Sequence, residues 1–253
     1  MKVLGGILAL LVLGYLGLCG VLFAMQRSLL YFPQPRSAAA PPPMALPVDG
    51  EVLQVTVRPR PGARALIYFG GNAEDVALNL PALARAFPDH ALYLLHYRGY
   101  GGSTGRASEA ALHGDARALY DHVRAEHARI VVIGRSLGSG VAVRLAGERP
   151  VERLVLVTPY DSIRELAAAQ FPGIPVRWLL RDTYDSARHA PAVTAPTLLL
   201  LAGHDEVIPR ASSERLLARF APGIAAMQVI DGRGHNDLSD DPAYLPLLAG
   251  MPR

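Results

Sequence analysis

Three side chains in this sequence have the types and order needed for acyl transfer. Ser136 stands in Gly134-Arg135-Ser136-Leu137-Gly138, a G-x-S-x-G pattern. An apolar β-branched run at 130–133 precedes it, and Leu137, Val141 and Leu145 follow at helical spacing. The pattern predicts a strand, a sharp turn and a helix, with the hydroxyl pushed above a sheet near the positive end of the helix. Glycine at 134 and 138 removes side chains where strand and helix must approach closely. A serine hydroxyl is a weak nucleophile until a base takes its proton, and the base works best when a carboxylate fixes its tautomer. His235, in Gly232-Arg233-Gly234-His235-Asn236-Asp237, is the expected base. Asp205, in Gly203-His204-Asp205-Glu206, is the expected acid. Capping of a helix that starts near Pro209 is the other role for Asp205. Glu206, Asp161, Asp231 and Asp237 are the competing carboxylates.

Such a reaction also needs donors for a tetrahedral oxyanion. The backbone N–H of Leu137, the residue after the nucleophile, is one. The second is expected from Gly70-Gly71-Asn72, after the apolar run at 65–69. Asn72 N–H is the expected donor and Gly71 the close alternative. No metal is expected. The nearest histidine pair, His122 and His127, is five apart on an expected helix, so the rings point to different faces. H-E-x-x-H is absent and Cys19 is the single cysteine. No cofactor is expected either.

These residues must be held by a sheet. Strand-like runs occur at 52–57, 65–69, 91–95, 130–133, 154–158, 197–202 and 227–230. Helical segments lie between them, at about 74–87 and where Leu112, Ala116, Leu119 and Val123 form one apolar face. Continuous apolar strands alternating with amphipathic helices predict an α/β fold, a mostly parallel central sheet with helices on both faces. In such sheets the sites lie beyond the carboxyl ends of strands. Asn72, Ser136, Asp205 and His235 all fall there. Residues 160–195 form the insertion over this edge, short enough for a small lid or none. Its Phe171, Ile174, Trp178 and Leu179 either line an acyl groove or cover the sheet edge.

The 253 residues are 51% hydrophobic and 19% charged, which suits one buried-core domain beside an apolar segment. Lys2 is the only lysine, and the arginines are scattered, so no basic stripe for nucleic acid is present. Residues 3–25 carry no charge, a run long enough to span a bilayer with some tilt. Cleavage is disfavoured because Leu22-Phe23-Ala24 puts Leu where a small residue belongs, and Leu18 spoils a lipoprotein site at Cys19. Residues 1–27 are therefore expected to be an uncleaved signal anchor, a single transmembrane helix. Residues 28–50, rich in Pro and Ala, are expected to be an extended tether lifting the domain off the bilayer. Residues 51–253 are the expected catalytic domain. Flanking positive charge is nearly balanced, and likeness to a signal h-region favours a domain outside the cytoplasm.

The motifs Tyr68-Phe69-Gly70-Gly71-Asn72-Ala73, Tyr97-Arg98-Gly99-Tyr100-Gly101-Gly102-Ser103 and Gly134-Arg135-Ser136-Leu137-Gly138 together resemble the α/β-hydrolase superfamily. So do Thr158-Pro159-Tyr160-Asp161-Ser162-Ile163, Ala202-Gly203-His204-Asp205 and Gly234-His235-Asn236-Asp237, over about residues 50–250. The apolar span followed by Leu30-Tyr31-Phe32-Pro33 is similar to the membrane-anchored branch with depalmitoylases and lipase-like esterases. The resemblance implies a serine hydrolase acting on an ester or thioester that includes lipid-like acyl groups. A peptidase of the same fold and a non-catalytic scaffold are the competing readings. One departure stands out. The usual His-Gly-Asn of the oxyanion loop is Gly70-Gly71-Asn72 here, which keeps the backbone donor and loses the His packing.

Overall fold

The alternation of buried strands and helices continues through almost the whole chain in a computed structural model that describes residues 2–250. In chain order the elements are α1 (Lys2–Leu30), β1 (Met44–Val48), β2 (Glu51–Arg58), β3 (Arg64–Phe69), α2 (Leu80–Ala86), β4 (Ala91–Leu95), α3 (Glu109–Arg124), β5 (Arg129–Arg135) and α4 (Leu137–Glu148). Then come β6 (Arg153–Val157), α5 (Ile163–Gln170), α6 (Val176–Leu179), α7 (Ser186–His189), β7 (Thr197–Ala202), α8 (Arg210–Leu217), β8 (Ala225–Ile230) and α9 (Tyr244–Ala249). The expected helix at 74–87 is divided into a 3-10 turn, Val76–Asn79, and α2. Pro81, which lacks an N–H, fits the first turn of α2.

The eight strands form one sheet in the order β1-β2-β4-β3-β5-β6-β7-β8. From β4 to β8 every pairing is parallel, while β1 and β2 run antiparallel at one edge. Successive β3 side chains point to opposite faces, so Ile67 and Phe69 join one core and Leu66 and Tyr68 the other. The first core takes Leu112 and Leu119 of α3 and Val141 and Leu145 of α4. The second takes Leu83 of α2 and Leu248 of α9. Two covered faces explain why β3 to β7 read as unbroken apolar runs.

The segment at 28–50 differs from the expected spacer. Its first residues complete α1, and β1 pairs with β2 through register Pro47↔Val52. Pro47 is tolerated because β1 is an edge strand and needs no second ladder. Asp49 and Gly50 close the hairpin with φ of 50° and 80°, the left-handed pair of a tight turn. Between α1 and β1 the backbone lies against the domain. Phe32 N–H donates to Asn72 O at 3.0 Å, Gly101 N–H to Gln34 O at 2.9 Å, and Ser37 N–H to Asp75 Oδ2 at 2.7 Å.

Among the described residues, α1 is the one helix long and apolar enough to cross a membrane. Most of it is exposed along 3–18, and its C-terminal end is latched to the domain. Arg27 Nε donates to Asp182 Oδ2 at 2.9 Å, and the Tyr31 hydroxyl donates to the same oxygen at 3.1 Å. The Tyr31 and Tyr184 hydroxyls share a hydrogen bond of 2.8 Å. Burial, more than any neighbour, pushes the pKa of both phenols far up, so both keep their protons.

Candidate active site

Ser136 sits between β5 and α4 with φ 48° and ψ −118°, a strained conformation for a residue with a side chain. Its N–H is held by Val157 O of the neighbouring strand at 2.9 Å. The two flanking glycines are forced by the close approach expected from the motif. A Cβ at Gly134 would come within 2.7 Å of Ala142 Cβ, and one at Gly138 would lie 2.6 Å from Gly70 O. Neither fits.

His235 lies in the loop after β8 and is 6% exposed. Its Nε2 is 3.0 Å from Ser136 Oγ, and its Nδ1 is 3.0 Å from each carboxylate oxygen of Asp205. A carboxylate only accepts, so Nδ1 carries the proton and Nε2 is left as an acceptor for the serine hydroxyl. Asp205 is fixed in turn by the N–H groups of Val207 at 2.9 Å and Ile208 at 2.7 Å. It therefore caps the local turn and touches the imidazole at once. Three of the four competing carboxylates have other partners, and Asp231 makes no hydrogen bond with His235. Asp161 accepts from Ser212 Oγ and Arg215 Nε, both at 2.5 Å. Glu206 accepts the His235 N–H at 3.1 Å, and Asp237 accepts the Gly234 N–H at 2.6 Å, so both shape the histidine loop.

The loop after β3 lies against the serine. A Cβ built on Gly71 would be 3.8 Å from Ser136 Cβ. Gly71 N–H is already taken, donating to Glu74 Oε2 at 2.7 Å. Asn72 N–H and Leu137 N–H have no protein acceptor among the described residues. Asn72 is held by its other groups. Its carbonyl accepts from the Tyr100 hydroxyl at 2.6 Å and its Nδ2 donates to Leu30 O of α1 at 3.0 Å.

Glu74 is the residue that sequence reasoning missed. Besides Gly71 N–H it accepts from the Tyr68 hydroxyl at 2.7 Å, Asn79 Nδ2 at 2.5 Å and Arg135 Nη1 at 3.4 Å. Arg135, the residue before the serine, also donates through Nη2 to His235 O at 3.3 Å. Glu74 and Arg135 thus tie together the loop after β3, the serine turn and the histidine loop. The one signal for this in the sequence is Gly70 where the resembled family has His: a Cβ there would lie 3.2 Å from the Glu74 carboxylate.

A cavity of about 600 Å³ opens over Ser136 and His235. From the insertion, Phe171, Ile174 and Leu179 line it, whereas Trp178 points away and is 90% exposed. The opposite wall belongs to α1, through Leu22, Phe23, Gln26, Leu29 and Leu30. The lining is mostly apolar, with the serine, imidazole and free N–H groups at its floor. Among the described residues, no group of three or more His, Cys, Asp or Glu side chains is arranged to hold a metal ion.

No protein-family model matches the chain. An uncharacterised protein of Mycobacterium tuberculosis is 36% identical over 251 residues, covering 91% of this chain and 88% of that protein. The alpha/beta hydrolase domain-containing protein aho-3 of Caenorhabditis elegans is 30% identical over 200 residues, covering 76% of this chain and 58% of that protein. Among solved structures, the monoacylglycerol lipase of Paleococcus ferrophilus superposes with a TM-score of 0.61 at 17% identity, over 78% of this chain and 95% of that one. With a parallel sheet of this order and relatives of this kind, the chain belongs to the α/β-hydrolase superfamily.

Proposed function

We propose that this hydrolase is a membrane-anchored serine esterase or thioesterase, with Ser136 as nucleophile, His235 as base and Asp205 as the acid that orients it. The continuous contact from Asp205 through His235 to Ser136, each step at 3.0 Å, carries this reading. His235 Nε2 takes the hydroxyl proton as Oγ attacks the acyl carbon. The carbonyl oxygen gains the negative charge and is received by the N–H groups of Asn72 and Leu137. The tetrahedral species collapses, and the imidazolium returns its proton to the departing alcohol or thiol. Water then loses a proton to the same nitrogen, attacks the acyl-serine and releases the acid. The apolar cavity suits the acyl part of the substrate, and residues 3–25 hold the enzyme where such groups are concentrated.

Labelling with a fluorophosphonate and turnover of ester and thioester panels test this directly. The full chain should be labelled at Ser136, and Ser136→Ala should lower turnover by about five powers of ten. Full activity in folded Ser136→Ala, or faster turnover of aminoacyl amides than of esters, would refute the assignment.

A further inference from the structure

The position of the insertion relative to α1 has a consequence for how substrate arrives. Gln26 accepts from Arg181 N–H at 2.7 Å and donates to Leu179 O at 3.3 Å. The Arg181 guanidinium stands 4.2 Å from the centre of the Phe23 ring. A further contact lies much farther down the helix, where the Tyr15 hydroxyl donates to Gly173 O at 2.9 Å. Tyr15 precedes Met25 by ten residues of continuous helix, about 15 Å along the axis. A hydrocarbon layer of ~30 Å needs about 20 helical residues, nearly all of 3–25. On that reading of α1, Tyr15 is inside the apolar layer, and Gly173 is beside it.

The turn around Gly173 has the chemistry for that depth. Residues 171–176, Phe171-Pro172-Gly173-Ile174-Pro175-Val176, carry no charge. Backbone N–H groups in lipid must be satisfied internally. Pro172 and Pro175 have none, those of Phe171, Ile174 and Val176 bond to Ala167 O, Phe171 O and Ile174 O, and Gly173 N–H alone has no acceptor among the described residues. The Gly173 carbonyl is satisfied by Tyr15 itself. Phe171 is 50% exposed and Trp178 90% exposed, on either side of the turn. Phe171 then lies among acyl chains at the depth of Gly173, whereas Trp178, farther along the chain, is a ring of the kind that settles at bilayer interfaces, and the neighbouring Arg177 and Arg181 have stems long enough to reach the headgroups.

We propose that the turn between α5 and α6 is embedded in the leaflet that α1 crosses, and that the cavity over Ser136 takes its acyl chain sideways from that leaflet. The inference rests on α1 being the anchor and Ser136 the nucleophile. It names the substrate class as an acyl ester or thioester whose chain is already dissolved in the bilayer. Leu22 and Phe23 of α1 and Phe171 and Ile174 of the turn then form the two sides of the passage.

Trp178 is the only tryptophan in the sequence, so the full chain reports on itself. In phosphatidylcholine vesicles its emission should shift to the blue and lose most of its intensity when the lipid acyl chains are brominated. Unshifted, unquenched emission from vesicle-bound protein overturns the inference, as does failure of the full chain to bind vesicles. Ser136→Ala should be quenched like the parent, so quenching without activity defeats the proposed chemistry and leaves the embedded turn standing. Trp178→Glu supplies the functional arm. It should lower turnover of a long-chain ester held in vesicles about tenfold and leave a water-soluble short-chain ester unchanged. Equal effects on the two substrates would count against access from the leaflet.

Discussion

Glu74 is the most informative residue to perturb, because it occupies Gly71 N–H and so, in the proposed mechanism, leaves Asn72 N–H as the loop's donor to the reacting carbonyl. Its carboxylate accepts from Gly71 N–H, the Tyr68 hydroxyl, Asn79 and Arg135. Glu74→Leu removes the acceptor of all four donors at similar volume. The Tyr68 side chain is 1% exposed, so its hydroxyl is left buried and unpaired at a cost of about 1–3 kcal/mol. Arg135 loses its carboxylate partner as well, and the total loss is several kcal/mol, still within the ~5–15 kcal/mol of a typical domain. Release of Gly71 frees one side of the loop, and against the ties from Tyr100 and Leu30 it should shift Asn72 N–H away from the oxyanion of the proposed mechanism. Loss of one such donor lowers kcat by about 10²–10³-fold. Glu74→Gln retains one acceptor oxygen for Gly71 N–H, and the Tyr68 hydroxyl can turn to accept from the new amide. That variant should lose about tenfold in kcat or less. Neither change touches the acyl chain, so KM for a short-chain ester should hardly move. The assay is kcat and KM on such an ester, with a thermal melt to confirm folding. A folded Glu74→Leu protein with the parent kcat would show that Tyr100 and Leu30 hold Asn72 in place without the carboxylate, and would refute the role given to Glu74.

The latch at the end of α1 and a buried histidine give two further tests. Asp182→Ala removes the acceptor for Arg27 and Tyr31, with Asp182 only 4% exposed. It should cost about 1–3 kcal/mol and speed proteolysis between 33 and 43, and an unchanged melt and cleavage pattern would contradict the latch. His96 is buried with its Nε2 against Thr56 Oγ1 at 2.9 Å. Burial pushes its pKa down to about 4, against the opposing pull of Asp75. The unfolded chain, titrating near 6.5, therefore binds this proton first as pH falls. The contribution of His96 is complete above ~6.5 and lost towards 4, a fall of roughly 3 kcal/mol at most. Urea midpoints measured from about pH 7.5 down to about pH 4.5 should decline less steeply in His96→Gln, and parallel curves would remove His96 from the explanation.

The parts of the fold that a sequence states locally were legible, and those made by distant pairing were not. β3, β5 and β7 are apolar because both sheet faces are covered, and that writes itself into consecutive residues. Ser136, Asp205 and His235 could be placed because the carboxyl ends of such strands are where loops meet. β1 was hidden by Pro47, which reads as a tether until an edge position makes it harmless. Glu74 and Arg135 were hidden for another reason. Each looks like an ordinary charged residue, and their role exists only once three separate loops converge. The lining supplied by α1 was invisible for the same cause, since an apolar helix gives one composition whether it meets lipid or an acyl cavity.

That double use makes α1 hard to exchange. Leu22, Phe23, Leu29 and Leu30 are cavity wall, and Asn72 Nδ2 is tied to the carbonyl of Leu30. If α1 is the proposed anchor, a foreign apolar helix of equal length would preserve the attachment but leave the cavity open on one side and the loop after β3 without its tie to Leu30. On the proposed reading one helix carries both the address, along 3–25, and a wall of the cavity, from Leu22 to Leu30. If α1 is the proposed anchor, a chain cut at residue 30 would lose its attachment and one wall of the cavity over Ser136 in a single step.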